Sequence, residues 1–211
     1  MSAKRAAAVI VAALFLASLA IADDLYPPLW RTAPPGQGTT TFQAWEFSTS
    51  DNPAVPEVVF NSFGPPSAQI TGTWPYTRWL DTDWSAPTHH GVWKFESPGT
   101  MTFSVPNSPT PDQFKDIWLQ LTYYTDQGLD PVLTTVPAAA QIELVHKTQL
   151  DAYYWHDTFH IRIEPNPSFE TITVAAPECT IYVDEAVLDT ICAPEPTSLL
   201  LAAIGLLLRR R

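Results

Sequence analysis

Apolar and polar residues alternate along most of this chain at a period of two, and that pattern narrows its possible folds more than any other feature. Ile117, Leu119, Leu121 and Tyr123 share one face of an extended segment, with Gln120 and Thr122 on the other. Met101, Phe103 and Val105 alternate with Thr100, Thr102 and Ser104, and Phe159, Ile161 and Ile163 with His160, Arg162 and Glu164. Successive side chains of a strand point to opposite faces, so these segments read as half-buried strands rather than helices. Further strands are predicted at 40–47, 58–60, 68–74, 92–96, 132–136, 141–146, 172–174 and 180–191. The last loses its apolar parity around Asp184 to Ala186, which predicts a bulge or a tight turn there. Between the runs lie most of the 21 prolines. Proline lacks the N–H that a central strand must donate, so these residues mark turns and edges. Roughly nine to eleven short strands divided in this way predict an all-β fold, an antiparallel β-sandwich with the jelly roll as its preferred form.

The two ends have a different character. Lys4 and Arg5 precede an apolar run from Ala6 to Ile21, and Ala20-Ile21-Ala22 places small residues just before Asp23-Asp24. A basic start, an apolar core and a small-residue exit form the layout of a signal peptide, so residues 1–22 are expected to be a signal helix removed by signal peptidase. The alternative is an uncleaved anchor, for which the run is short. Residues 23–38 form a proline-rich lead-in, and 39–193 a single β-sandwich domain. The last segment, 194–211, opens with Pro194-Glu195-Pro196, continues through an apolar run rich in Leu and Ala that predicts a helix, and closes on Arg209, Arg210 and Arg211. Arginines at that end are costly to move across a bilayer, so the body is expected on the far side of the membrane from them.

Pro194-Glu195-Pro196, the apolar run and the three terminal arginines resemble the PEP-CTERM sorting signal. The resemblance covers the last eighteen residues together with the signal peptide that accompanies such tails. It implies an exported protein whose tail is handled by an exosortase, an integral-membrane cysteine protease, and a place in the cell envelope or the extracellular matrix, often beside extracellular polysaccharide. The run from Ser198 to Leu208 has only eleven residues. At about 1.5 Å per residue a straight helix of that length does not span the hydrocarbon core, which favours transient membrane insertion over permanent anchoring. A single-pass tail anchor is the alternative. The strand Ile181-Tyr182-Val183-Asp184-Glu185-Ala186-Val187-Leu188 also resembles, faintly, the closing strand of jelly-roll carbohydrate-binding modules.

Between the two ends, six basic residues stand against 21 acidic ones, a net charge of −15. Such a surface repels phosphate backbones, so no nucleic acid partner is expected. An oxidising compartment permits a disulfide between Cys179 and Cys192. A straight strand would hold those residues about 40 Å apart, so the bridge requires a chain reversal near Asp184.

The densest candidate site runs from Trp74 to Trp93. Sugars present apolar C–H faces that meet aromatic rings and hydroxyls that meet carboxylates. Trp74, Tyr76, Trp79, Asp81, Asp83 and Trp84 are therefore the candidate glycan-binding residues, against the alternative that these aromatics pack beneath a loop. Asp81 and Asp83 could also begin a structural calcium site, completed by Asp112, Asp184 or Glu185, or they could simply cap a turn. No other cofactor is expected. His156 and His160 have the spacing of a helical zinc pair, but on a strand they lie roughly 13 Å apart, too far for one zinc. No catalytic residue can be assigned. Three functions are compatible with the sequence: a non-enzymatic envelope or matrix protein, a glycan-binding module, and a glycan-active hydrolase.

Overall fold

The computed structural model describes residues 22–31, 34–36, 38–83, 86, 88–108 and 113–194. The predicted signal helix, Trp84, Asp112 and all of the tail beyond Pro194 lie outside the described residues.

Twelve strands form among the described residues: β1 (Thr40–Trp45), β2 (Val58–Phe60), β3 (Ser67–Thr71), β4 (Arg78–Thr82), β5 (His90–Glu96), β6 (Thr100–Pro106), β7 (Gln113–Thr125), β8 (Val132–Val136), β9 (Gln141–Gln149), β10 (Trp155–Ile163), β11 (Phe169–Ala175) and β12 (Thr180–Pro194). They build two antiparallel sheets, as a β-sandwich requires. The larger runs β2-β1-β12-β7-β10-β9, with β5 also paired to β12 and β4 to β5. The smaller runs β3-β6-β11-β8. The predicted strands are all present. The one not predicted is β4, hidden inside what reads in sequence as a Trp-rich loop. It is a short edge strand held by Trp79 opposite Trp93 and Leu80 opposite Val92.

β12 organises the larger sheet. One of its edges pairs with β7 from Ile181 to Pro194. Its other edge is shared, with β5 beside Thr180 to Val183 and β1 beside Ala186 to Ile191. The loss of parity at Asp184 is a β-bulge: Val183 faces Tyr123 and Glu185 faces Thr122, leaving Asp184 as the extra residue. The bulge shifts the inward set, so Ile181 and Val183 enter the core before it, and Ala186 and Leu188 after it. A bulge bends a strand without reversing it. Cys179 and Cys192 therefore stay at opposite ends of an extended segment, both thiols are free, and the bridge that needed a reversal does not form.

The core lies between the sheets. Ile117, Leu119, Leu121, Phe159 and Ile161 meet Met101, Phe103, Val105, Ile172 and Val174. Trp45 packs edge-on to Phe103 with ring centroids 5.0 Å apart. Each such fully buried side chain contributes roughly 1.5–3 kcal/mol through removal of apolar surface from water. Gly91 is required at the start of β5: its φ is +77°, and a Cβ there would sit 2.5 Å from the Phe47 carbonyl oxygen.

The outer face of the larger sheet is not left to solvent. Gln120, Thr122 and His156 are buried there because the lead-in crosses over them. The Tyr26 N–H donates to Gln120 Oε1 at 2.8 Å, and its carbonyl accepts from Trp118 Nε1 at 2.6 Å. Gln120 Nε2 donates to Asp24 at 2.6 Å, and the Tyr26 ring stacks on His146 at 4.4 Å. Polar residues that alternation assigns to a wet face thus become the partners of a backbone strap.

Candidate functional site

The aromatic segment resolves into two environments. After β3 the chain turns at Thr73 to Thr77, closed by the Thr77 N–H donating to the Thr73 carbonyl at 2.9 Å. This turn lifts Trp74 and Tyr76 into solvent at 75% and 54% exposure. Tyr76 and Thr73 line an open cleft with Glu96, the last residue of β5, and Ser97, which follows it. An aromatic face beside a carboxylate and a hydroxyl is the chemistry that suits a sugar ring. Trp79, two residues into the segment after Thr77, behaves otherwise. It packs against the core, and its indole Nε1 donates to the Phe47 carbonyl at 2.8 Å.

The carboxylates separate in the same way. Asp81 is exposed, whereas Asp83 is buried and accepts from the Tyr154 hydroxyl at 2.9 Å. Among the described residues, no group of three or more His, Cys, Asp or Glu side chains is disposed to hold a metal. His156 and His160 do lie on a strand. His156 is buried against Thr122, and His160 sits 3.1 Å from Asp116.

A second cluster forms around the bulge, and nothing in the sequence spacing announces it. His89 stacks on Tyr154 with ring centroids 3.7 Å apart. Its Nδ1 bonds to Asp184, the bulged residue, and its Nε2 lies 3.1 Å from Asp151. Burial works against the imidazolium, but the two carboxylates outweigh it and push its pKa up to about 9. Both ring nitrogens are thus committed to carboxylates, which leaves neither to act as a base toward a substrate. Beside this pair, Glu185 accepts the backbone N–H of Asp23. Burial, with the charges of Asp23, Asp184 and Glu46 added, pushes the Glu185 carboxyl up to about 8. His89, Asp184, Glu185, Asp23 and Glu46 line an open cleft of about 390 Å³.

Tyr124, Tyr153 and Tyr182 form a neighbouring aromatic group, with Tyr124 within 5.6 Å of Tyr153 and 5.3 Å of Tyr182. They come from β7, the β9–β10 turn and β12, so only the fold assembles them. The Tyr153-Tyr154 pair just before β10 was the one local signal for this group.

Of the predicted glycan-binding set, the structure therefore keeps Trp74 and Tyr76 together on one exposed turn. It assigns Trp79 and Asp83 to packing and places Asp81 on the surface of β4. Of the sorting motif, Pro194 closes β12 as its last residue. Comparison with protein-family models, with curated proteins and with solved structures found no match.

Proposed function

We propose that this chain is an exported β-sandwich of the jelly-roll type, delivered to the cell envelope or extracellular matrix by its PEP-CTERM-like tail, which holds extracellular polysaccharide without cleaving it. The observation that carries the binding part is the exposed pair Trp74 and Tyr76 on one turn, with Tyr76 lining a cleft beside Glu96 and Ser97. An indole three-quarters exposed on a closed turn has no packing role to explain it, and stacking on a sugar face would cover it. The jelly-roll assignment rests on the strand order. β5-β12-β7-β10 in one sheet and β6-β11-β8 in the other are joined by repeated crossings between sheets. Export is supported at Asp23. Cleavage after Ala22 would turn the N–H already bonded to Glu185 into an α-ammonium, giving a buried carboxylate a cationic partner.

Affinity electrophoresis of the full chain against a panel of neutral and acidic bacterial polysaccharides tests the binding. Retardation should appear with at least one polysaccharide. The double variant Trp74→Ala/Tyr76→Ala should lose most of it, since stacked aromatics contribute on the order of 1 kcal/mol each or more. Trp79→Phe should retain it. A wild-type chain that migrates unchanged on every gel would remove the binding role. The sorting part has a separate test: truncation before Pro194 should convert an envelope-retained protein into a freely secreted one. Identical fractionation of the two forms would show that the tail is not an address.

A further inference from the structure

Alternation also places two charged residues on the inner faces. Lys115 shares the parity of Ile117 and Leu119 on β7, and Glu170 that of Ile172 and Val174 on β11. Both are fully buried, and Lys115 Nζ lies 3.2 Å from Glu170 Oε1. Asn107, immediately after β6, brings its side-chain Oδ1 to 2.5 Å from the same Nζ. That oxygen also accepts from the Cys192 thiol at 2.9 Å. Asn107 Nδ2 donates to Asn166 Oδ1 and to the Pro167 carbonyl, both at 2.7 Å. An amine, a carboxamide and a carboxyl group thus meet where the two sheets close on each other.

An ammonium and a carboxylate are expensive to keep ionised in such a place unless hydrogen bonds saturate them. They are not saturated here, because neither Glu170 oxygen receives a well-directed hydrogen bond. Burial raises the Glu170 carboxyl to about 7, even though Lys115 and Asn107 act to lower it. Transfer of one proton from Lys115 to Glu170 relieves both charges. The resulting neutral amine is a nucleophile, and it is already held against an amide.

We propose that Lys115 and Asn107 become joined by an intramolecular isopeptide bond, with Glu170 as the proton carrier. The Nζ lone pair adds to Asn107 Cγ, while the Glu170 acid protonates Oδ1 and the Cys192 S–H supports it. Glu170 then takes a proton from the attacking nitrogen and delivers it to Nδ2. The Cγ–Nδ2 bond breaks, the carbonyl re-forms by returning the Oδ1 proton to Glu170, and ammonia leaves. Nothing is oxidised or reduced, and Glu170 ends as it began. The product amide closes a covalent ring across the β6–β7 connection, which passes from one sheet to the other, and it replaces a buried ion pair with a neutral group. For a domain with no disulfide this is a staple insensitive to redox conditions.

Mass spectrometry of the full chain provides the test. The intact protein should be lighter than its sequence by one ammonia. Trypsin acting on the denatured protein should fail to cut after Lys115, giving a fragment from Phe95 to Lys147 that is also short by one ammonia. Glu170→Gln, which keeps the shape of the site, should restore the full mass and the cut, and Asn107→Ala should do the same. A wild-type chain of full mass would overturn the proposal. So would a chain short of one ammonia but still cut after Lys115, which would indicate ring closure at Asn107 alone. An Asn107→Ala chain that still loses ammonia would overturn the choice of acceptor.

Discussion

The melting temperature of the uncleaved chain, in which the Asp23 nitrogen facing Glu185 is still an amide, falls as the pH rises from about 5 to about 9. The sign follows from its buried acids. Burial raises the carboxyls of Glu185 to about 8, Glu170 to about 7 and Asp189 to about 6. A group whose folded pKa lies above its unfolded one holds a proton in the fold that the open chain has released. Its contribution is complete below the ordinary carboxylate value near 4 and disappears as the pH climbs through the raised value. His89 acts in the same direction later in the titration. Despite the desolvation that opposes it, its carboxylate partners raise it to about 9, so its share is complete below about 6.5 and lost toward the raised value. His156 opposes the trend, because burial keeps its ring neutral and lowers its pKa. It is one group against four. A tenfold change in proton affinity is about 1.4 kcal/mol, so even a fraction of these shifts costs several kcal/mol across the window, and the melting temperature drops by about 10 °C or more. An isopeptide bond at Lys115 would remove the cation that holds Glu170 down and so would strengthen the trend. Differential scanning calorimetry in buffers of constant ionic strength measures the slope, and Glu185→Gln should flatten it below about pH 8. A melting temperature that is level or rising across the window would contradict this account of the buried acids.

The sheets were legible in the sequence because alternation encodes them directly. Even the bulge at Asp184 showed as a break in parity, since one extra residue exchanges the inward and outward sets. β4 was not legible, because its residues are half-covered at an edge and carry no alternating pattern. The covered outer face was illegible for a different reason. Gln120, Thr122 and His156 are polar, and polarity reads as exposure, yet Asp24 and Tyr26 of the strap satisfy Gln120, and Thr122 and His156 bond to each other beneath it. The candidate site divides along the same line. Trp74 and Tyr76 are neighbours in sequence and remain neighbours on one turn. His89, Asp151, Tyr154 and Asp184 converge from separate segments of the chain, as do Asn107, Lys115, Glu170 and Cys192. Spacing along the chain carries no trace of such meetings. For Lys115 and Glu170 the parity did point inward, toward an environment where a charge has to be explained.

Replacing Arg31 with alanine should destabilise the protein by about 3–5 kcal/mol, the range for a buried charge stripped of its partner. Arg31 is the last residue of the strap before the turn into β1. Its Nε donates to Asp189 Oδ1 at 2.7 Å and its Nη2 to Asp24 Oδ1 at 3.0 Å, and the guanidinium lies 4.8 Å from the Phe42 ring centroid. Asp189 is only 2% exposed and sits mid-strand on β12, so it has no route to water once the guanidinium is gone. The strap has no strand pairing of its own and would lose its anchor with the arginine, uncovering Trp118 and shifting its fluorescence to the red. The pH dependence separates this mechanism from a simple loss of packing. Asp189 without its partner protonates more readily and at a higher pH than the value near 6 it has beside Arg31, so the penalty should shrink as the pH falls toward about 6. Asp189→Asn in the Arg31→Ala background should recover most of the loss, because the neutral amide removes the stranded charge. Urea unfolding of the four proteins of that double-mutant cycle measures the coupling. If Arg31→Ala lies within about 0.5 kcal/mol of wild type, the pair is an ordinary surface contact and the strap is held by its other bonds, at Asp23, Asp24 and Tyr26.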